Sequence, residues 1–195
     1  SAFVAASAGA KVAKHGNRGA TSKSGSADVL EAAGVNLDLD PNQIALAIDK
    51  IGVGFMFAPA HHIAMKHVIA VRREIGIRTI FNLLGPLTNP AGASNQIIGV
   101  FNSNWIPILL EVLRDLGSSH VLIVAAEDGL DEISNASSTV VGELRDGEIS
   151  VKKINPEEFG IERIEDTDTF QVGSAEESLN FIKKALIYEH QAAGD

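Results

Sequence analysis

Apolar and polar positions alternate along this chain in a pattern that predicts a mixed α/β fold. Short apolar runs suited to buried strands lie at residues 53–57, 97–101 and 121–125. Stretches with helical spacing separate them, which is typical of a largely parallel central sheet flanked by helices. We therefore expect a single α/β domain over residues 1–195.

Capping residues predict where several helices begin and end. Asp40 is placed to cap a helix with Pro41 in its first turn and Gln43 at the capping-box position, and Gly52 is placed to end it. Further helices are predicted over residues 27–33, from about Ala60 onward, over 106–116 and after Ser174.

The pattern changes between residues 138 and 154. β-prone residues flank Asp146 and Gly147, and an Asp-Gly pair favours a hairpin turn. A small antiparallel excursion from the parallel sheet is therefore expected here.

Composition narrows the classes of partner. The 195 residues carry 16 Lys+Arg against 25 Asp+Glu, a net charge of −9, so the broad basic surface that nucleic acid requires is not expected. Cysteine is absent, which excludes disulfides and thiolate chemistry. No apolar run reaches the roughly 20 residues of a membrane span. We expect a cytoplasmic protein with no nucleic-acid or membrane partner.

A loop of unusual composition follows the first apolar stretch, which ends at Val12 and Ala13. Residues 14–26 read KHGNRGATSKSGS and lead into a predicted helix. Glycines that allow close backbone approach, hydroxyls, cations and a helix start are what a phosphate-binding loop needs. Its Gly and Lys spacing is not that of the standard P-loop. A solvated, hydroxyl-rich surface loop is the alternative.

The order of residues in this loop resembles the phosphoribosyl-diphosphate loop of anthranilate phosphoribosyltransferases, which share the nucleoside phosphorylase/phosphoribosyltransferase class of fold. The resemblance implies that Asn17 also approaches anthranilate, and that Gly19, Ala20 and Thr21 replace a more usual Ala-Val-Ser or Ser-Val-Ser. It implies that the donor's ribose and diphosphate are bound by Lys14, His15, Gly16, Asn17, Arg18, Gly19, Ala20, Thr21, Ser22 and Ser26.

A predicted helix from about Ala60 holds three of the six histidines, but their spacing does not suit a metal. His62 and His67 are five residues apart and diverge around a helix. Arg72 falls roughly 70° from the centre of the apolar face, whereas Arg73 lies nearly opposite that face. A cation at the edge of a core pairs with a planar anion or with an ordinary carboxylate.

The residues around this helix, from GFMFAP at 54–59 to RTIFNLLGPLTNP at 78–90, resemble the second signature block of the same family. The resemblance implies that Arg72 binds the anthranilate carboxylate and that His62 lines the approach of the aromatic substrate. The family usually has Pro where this chain has Ile63.

Acidic residues follow the strand predicted at 121–125. The sequence DGLDE at residues 128–132 places Asp131 and Glu132 after the carboxyl end of a strand, where sites of α/β sheets lie. An acidic turn is the alternative interpretation. The family's metal motif has the same form, which implies Asp131 and Glu132 as Mg²⁺ ligands, although Ala125 and Ala126 replace its frequent His-Gly.

The resemblance covers residues 1 to about 134. It implies transfer of 5-phosphoribosyl from phosphoribosyl diphosphate to the amine of anthranilate, with Mg²⁺, in tryptophan biosynthesis. Compared with that family, an N-terminal helical domain that forms the homodimer and a C-terminal helix are expected to be missing, so a fragment of low or no activity is expected. A pyrimidine nucleoside phosphorylase and a non-catalytic nucleic-acid-binding relative are the rival interpretations.

Overall fold

The computed structural model describes residues 1–19, 23–61, 81–165 and 171–187, with the side chains of 81–83 excepted. These residues belong to two compact units. The first draws on Ser1–Ile80, Asn89–Ala91 and Val172–Asp195, and the second on Phe81–Thr88 and Gly92–Gln171. Helices and strands occur in both, so the α/β class predicted from the sequence is confirmed.

The first unit is built around a two-stranded parallel sheet. Its strands are β1 (Val12–Gly16) and β2 (Val53–Phe57), paired from Val12 opposite Val53 to Gly16 opposite Phe57. The described residues of this unit also form α1 (Ala2–Ser7), α2 (Ser26–Ala32), α3 (Pro41–Ile51), α4 (Ala58–His61) and, much later in the chain, a helix at Ala175–Leu186 that packs against α2.

The predicted caps of the first unit are confirmed. The Asp40 carboxylate accepts hydrogen bonds from the N–H groups of Asn42 and Gln43 at 2.8 and 3.0 Å, and the Gln43 side chain accepts one from the Asp40 N–H. Helix α3 then ends at Gly52. Ser174 caps the last helix by accepting from the Glu177 N–H at 3.2 Å.

The second unit contains a four-stranded mixed sheet in the order β3 (Asn95–Gly99), β4 (His120–Ala126), β5 (Thr139–Arg145) and β6 (Glu148–Ile154). Strands β3 and β4 are parallel, and the two later pairings are antiparallel. The hairpin turns at Asp146 and Gly147, both with positive φ, as the Asp-Gly pair predicted.

The core of the second unit lies between this sheet and the helix that precedes β4 in the chain. That helix spans Trp105–Asp115, after a short α5 at Phe81–Leu87. Its buried Ile106, Leu110 and Leu113 pack with Val121, Ile123 and Leu144 of the strands, all at most 1% exposed. Burial of this apolar area is the main force holding the unit together.

Two elements begin two residues earlier than the sequence predicts. The strand expected at 97–101 begins two residues earlier, because the polar Asn95 and Gln96 pair with β4 through backbone hydrogen bonds, which need no apolar side chain. The helix expected from near Ala60 begins at Ala58, and its predicted continuation lies outside the described residues. Among the described helices, none is long and apolar enough to span a membrane.

Candidate functional site

The first candidate segment begins on strand β1, not in a loop. Lys14, His15 and Gly16 were expected to lie beyond the strand, but they pair in register with Phe55, Met56 and Phe57 of β2. The expectation was wrong because parallel pairing uses the backbone of each residue, whatever its side chain. The irregular segment therefore starts at Asn17.

Asn17 turns the chain from β1 toward α2. Its carbonyl accepts hydrogen bonds from the Ala27 N–H at 3.2 Å and the Ser26 hydroxyl at 3.5 Å, and its side-chain oxygen accepts from the Arg18 N–H at 2.8 Å. With the oxygen used in this way, the side-chain NH₂ of Asn17 is the group left to donate.

Asp28, in the first turn of α2, organises the segment. One carboxylate oxygen accepts from the Gly19 N–H at 2.9 Å and from the Gly25 N–H at 2.8 Å. The hydrogen bond from Gly19, then that from Gly25, lowers the pKa of Asp28 below its usual range. Asp28 is therefore ionised at neutral pH, and its carboxylate holds the backbones of Gly19 and Gly25.

The Arg18 guanidinium is also engaged within the segment. It pairs with both carboxylate oxygens of Glu31 at 2.5 and 3.0 Å, lies 3.3 Å from Asp28 and faces the Phe57 ring at 5.5 Å. The hydrogen bond with Glu31 is the main cause of its raised pKa, and the pKa of Glu31 is lowered in turn. Arg18 thus has an internal anion as its partner.

Lys14 differs from Arg18 in this respect. It is half-buried on β1, and no described carboxylate lies within ion-pair distance of its ammonium group. A lysine without an internal counterion can give its full charge to a bound anion.

The second candidate segment follows strand β4. Asp128 accepts from the Leu130 N–H at 3.1 Å and from the Ser134 hydroxyl at 2.6 Å. Burial raises the pKa of Asp128, but the bonds from Ser134 and Leu130 outweigh it and hold the pKa below its usual value. Both oxygens of this carboxylate are therefore committed to the loop itself.

Buried hydroxyls complete the second segment. Ser134 is 5% exposed, and its oxygen accepts from the N–H groups of Ala136 at 2.9 Å and Ser137 at 3.1 Å. The Ser134 N–H donates to the Thr139 hydroxyl at 3.1 Å. Together with the Asp128 carboxylate, these hydroxyls satisfy the backbone donors of the loop.

Asp131 and Glu132 are presented by this loop. Both are exposed, and neither carboxylate has a hydrogen-bond or ion-pair partner among the described residues. No group of three His, Cys, Asp or Glu suited to a metal occurs in the part of the chain that the structure describes. Two free carboxylates nevertheless fit Mg²⁺, which takes one or two of them together with waters and substrate phosphates.

Several predicted site residues lie outside the described residues: Ala20, Thr21, Ser22, His62 and Arg72. The described ones divide between the two units, with residues 14–19 and Ser26 in the first and Asp131 and Glu132 in the second.

The sequence interpretation gave no role to Asp28, Glu31 or Ser134. Asp28 had a readable signal, because it stands three residues after the N-cap Gly25, where an acidic side chain reaches back to the cap N–H. The pairing of Arg18 with Glu31 across 13 residues has no comparable local signal.

Comparisons with known proteins place this geometry in context. A family model described as "Glycosyl transferase family, a/b domain" matches residues 1–194. The chain is 61% identical over 186 residues to an anthranilate phosphoribosyltransferase of Thioalkalivibrio sulfidiphilus, a match that covers 95% of the chain and 55% of that relative. The chain therefore spans about half the length of the curated relatives it matches.

Solved structures of anthranilate phosphoribosyltransferases are also similar to this chain. The crystal structure of anthranilate phosphoribosyltransferase from Thermus thermophilus matches with a TM-score of 0.84 and 44% identity, over 95% of this chain and 54% of that one. The enzyme from Saccharomyces cerevisiae in complex with PRPP and Mg matches with a TM-score of 0.83 and 29% identity, over 94% and 50%.

Proposed function

The chain belongs to this glycosyl transferase family, and on that premise we propose that the protein transfers a 5-phosphoribosyl group from phosphoribosyl diphosphate to the amine of anthranilate. The observation that carries the proposal lies at the end of β1. There Lys14 has no ion-pair partner among the described residues, and the chain turns at Asn17 immediately afterwards. The similarity to the S. cerevisiae enzyme in complex with PRPP and Mg supports the same donor and Mg²⁺.

The donor is proposed to lie against residues 14–22 and Ser26. Lys14 supplies positive charge toward the diphosphate as it leaves the ribosyl C1. Asp131 and Glu132 would hold Mg²⁺, which would supply neutralisation of negative charge on a diphosphate when it is bound. The two exposed carboxylates suit this role because Asp128 and the hydroxyls of Ser134 and Thr139 satisfy the loop's own donors.

The acceptor is proposed to be oriented by Arg72, with His62 lining its approach. The Asn17 side-chain NH₂ is a suitable second donor to anthranilate, since its oxygen already accepts from the Arg18 N–H. An arylamine already carries its nucleophilic lone pair, so positioning contributes more than a strong base would. A cytoplasmic location and a homodimer of the full-length protein complete the proposal.

The test is Mg²⁺-dependent consumption of anthranilate, followed by its fluorescence, with the full-length protein and phosphoribosyl diphosphate. Arg72→Ala is expected to raise the KM for anthranilate by about tenfold or more, because a bidentate cation–carboxylate contact is lost. Arg73→Ala is the matched control, since Arg73 is predicted to lie nearly opposite the apolar face of the same helix, about 100° from Arg72.

Glu132→Ala is expected to lower kcat/KM by about tenfold and to raise the Mg²⁺ concentration needed for half-maximal rate. The exposed Glu148→Ala is its control. Absence of turnover, or turnover that neither Arg72→Ala nor Glu132→Ala changes, would contradict the proposal. Phosphate-dependent cleavage of a pyrimidine nucleoside would instead identify a nucleoside phosphorylase.

A further inference from the structure

The carboxylate of Asp28 joins two points of the chain that are six residues apart. A single oxygen accepts from both the Gly19 and the Gly25 N–H groups, at 2.9 and 2.8 Å. The other oxygen receives the Arg18 guanidinium at 3.3 Å. Three donors from the segment thus converge on one side chain of the following helix.

The close approach of Gly25 to Gly19 shows independently that the two ends are tightly joined. A Cβ placed on Gly25 would lie 2.3 Å from the Gly19 nitrogen and 2.6 Å from the Arg18 carbonyl carbon. Both neighbours are backbone atoms, which cannot rotate away as a long side chain can. Only glycine fits at position 25 while Asp28 holds this arrangement.

Arg18 extends the network outward. Its bidentate contact with Glu31 and its position over Phe57 leave the guanidinium facing partners of its own unit. Side chains of Arg18 and Glu31 are 44% and 55% exposed, so solvent still reaches the pair. The lowered pKa values of Asp28 and Glu31 agree with both carboxylates being ionised counterions.

We propose that Asp28 is a positioning residue for the phosphoribosyl-diphosphate segment. Arg18, although it lies within the residues proposed to face the donor, is the counterion of Asp28 and Glu31 and not a ligand of the diphosphate. The proposal rests on the proposed function for the identity of the bound anion. Asp28 does not contact that anion but acts by holding the backbones of Gly19 and Gly25 together before the donor arrives.

If Asp28 instead occupied an anion-binding site in the absence of the donor, its removal would have the opposite effect on donor binding. Two N–H groups on one oxygen also resemble a nest that binds an anion, which Asp28 would then occupy until a phosphate displaced it. Removing the charge would tighten donor binding in that case. If Asp28 holds the segment in its binding shape, removing the charge weakens binding.

The experiment is calorimetric titration of phosphoribosyl diphosphate with Mg²⁺ into the full-length protein and its Asp28→Asn variant. We expect the Kd to rise about tenfold, because an amide oxygen is a weaker acceptor for the two N–H groups than a carboxylate. The KM for the donor should follow the Kd, while kcat at saturation changes less than about threefold. Asp38→Asn, on an exposed side chain of the same unit, is the matched control.

The outcomes separate the two proposals. A wild-type protein that does not bind phosphoribosyl diphosphate contradicts the proposed function itself. Wild-type binding with an unchanged or lower Kd in Asp28→Asn contradicts only the positioning role of Asp28.

A second set of variants remains informative if Asp28→Asn does not fold, because Arg18 and Glu31 are exposed. Arg18→Met should weaken binding severalfold alone and much less in a Glu31→Gln background, as expected of residues that act through each other. Equal losses in both backgrounds would show that Arg18 contacts the diphosphate directly and would overturn its assignment as a counterion.

Discussion

Two polar segments of this protein, the described residues 17–19 and 23–25 after β1 and residues 127–138 after β4, are held by different chemistry. The first is held by ions: Asp28 and Glu31 with Arg18, all partly exposed. The second is held largely by the buried hydroxyls of Ser134 and Thr139. Charges are tolerated where water remains near, whereas a buried position favours neutral groups with every hydrogen bond made.

The difference has a consequence for ligand binding. In the first segment Arg18 is used internally, whereas Lys23, and Lys14 on the strand before it, have no ion-pair partner among the described residues and are left for an anion. In the second, the hydroxyls and Asp128 satisfy the loop, and Asp131 and Glu132 are left for a cation. In each segment, one set of polar groups thus forms hydrogen bonds within the protein and stabilises the backbone. A second set remains available, and its charge is opposite to that of the proposed ligand.

The largest expected effect comes from the strand beneath the second segment. A Cβ on Gly99 of β3 would lie 1.6 Å from the backbone carbonyl oxygen of Asp131, so Gly99→Ala must displace the loop or the strand. We expect a loss of about 3 kcal/mol or more in the free energy of unfolding, measured by urea denaturation. The Mg²⁺ dependence of any turnover should shift as well, because Asp131 moves.

Gly85→Ala is the control for Gly99→Ala, since a Cβ there meets nothing within 4 Å and the residue lies in helix α5. It should change the free energy of unfolding by less than about 1 kcal/mol, because the higher helix propensity of Ala is offset by the crowding of its Cβ against the following Pro86. Equal stability of the two variants would show that the Asp131 backbone is not held against β3, and the second segment would then be less rigid than its hydrogen bonds indicate.

The next effect isolates the hydroxyl network. Ser134→Ala leaves the N–H groups of Ala136 and Ser137 without their acceptor and removes a donor to Asp128. A loss of about 2 kcal/mol in the free energy of unfolding is expected, because buried donors without a partner are costly. Ser150→Ala on exposed strand β6 should change it by less than about 0.5 kcal/mol. Similar losses from both serines would contradict a special role for Ser134.

The extent to which sequence anticipated these features follows from the range of the interactions. The caps at Asp40 and Ser174 and the hairpin at Asp146 depend on neighbours within a few residues, and all three are confirmed. The extension of β1 through Gly16 depends on β2, some 40 residues later, and was missed. Likewise, no local pattern joins Arg18 to Glu31.

Within the candidate site, the sequence pointed to the exposed groups better than to their supports. Motif order singled out Lys14, Asp131 and Glu132, whose proposed roles depend on residue type. Supporting contacts such as Ser134 with Asp128 were not anticipated, because a serine in a polar loop has many possible partners until the fold selects one.

The smallest expected effect tests the ionic character of the first segment directly. Salt screens exposed charges over about 10 Å at 0.1 M and over less at higher concentration, while buried hydrogen bonds between neutral groups are little affected. Glu31→Gln removes the exposed ion pair with Arg18. The destabilisation it causes should therefore be small at low salt and should shrink as NaCl is raised, because salt weakens this ion pair in the wild type and less stability is then lost with it.

Ser134→Ala, measured in the same salt series, should keep its full cost, because its buried partners include two backbone N–H groups that salt does not reach. Glu148→Gln controls for the change in net charge, since Glu148 is exposed and has no ion-pair partner among the described residues. If the costs of Glu31→Gln and Ser134→Ala respond equally to salt, charge does not distinguish the two segments. The greater exposure of the groups that hold the first segment, compared with those that hold the second, would then be explained by packing alone.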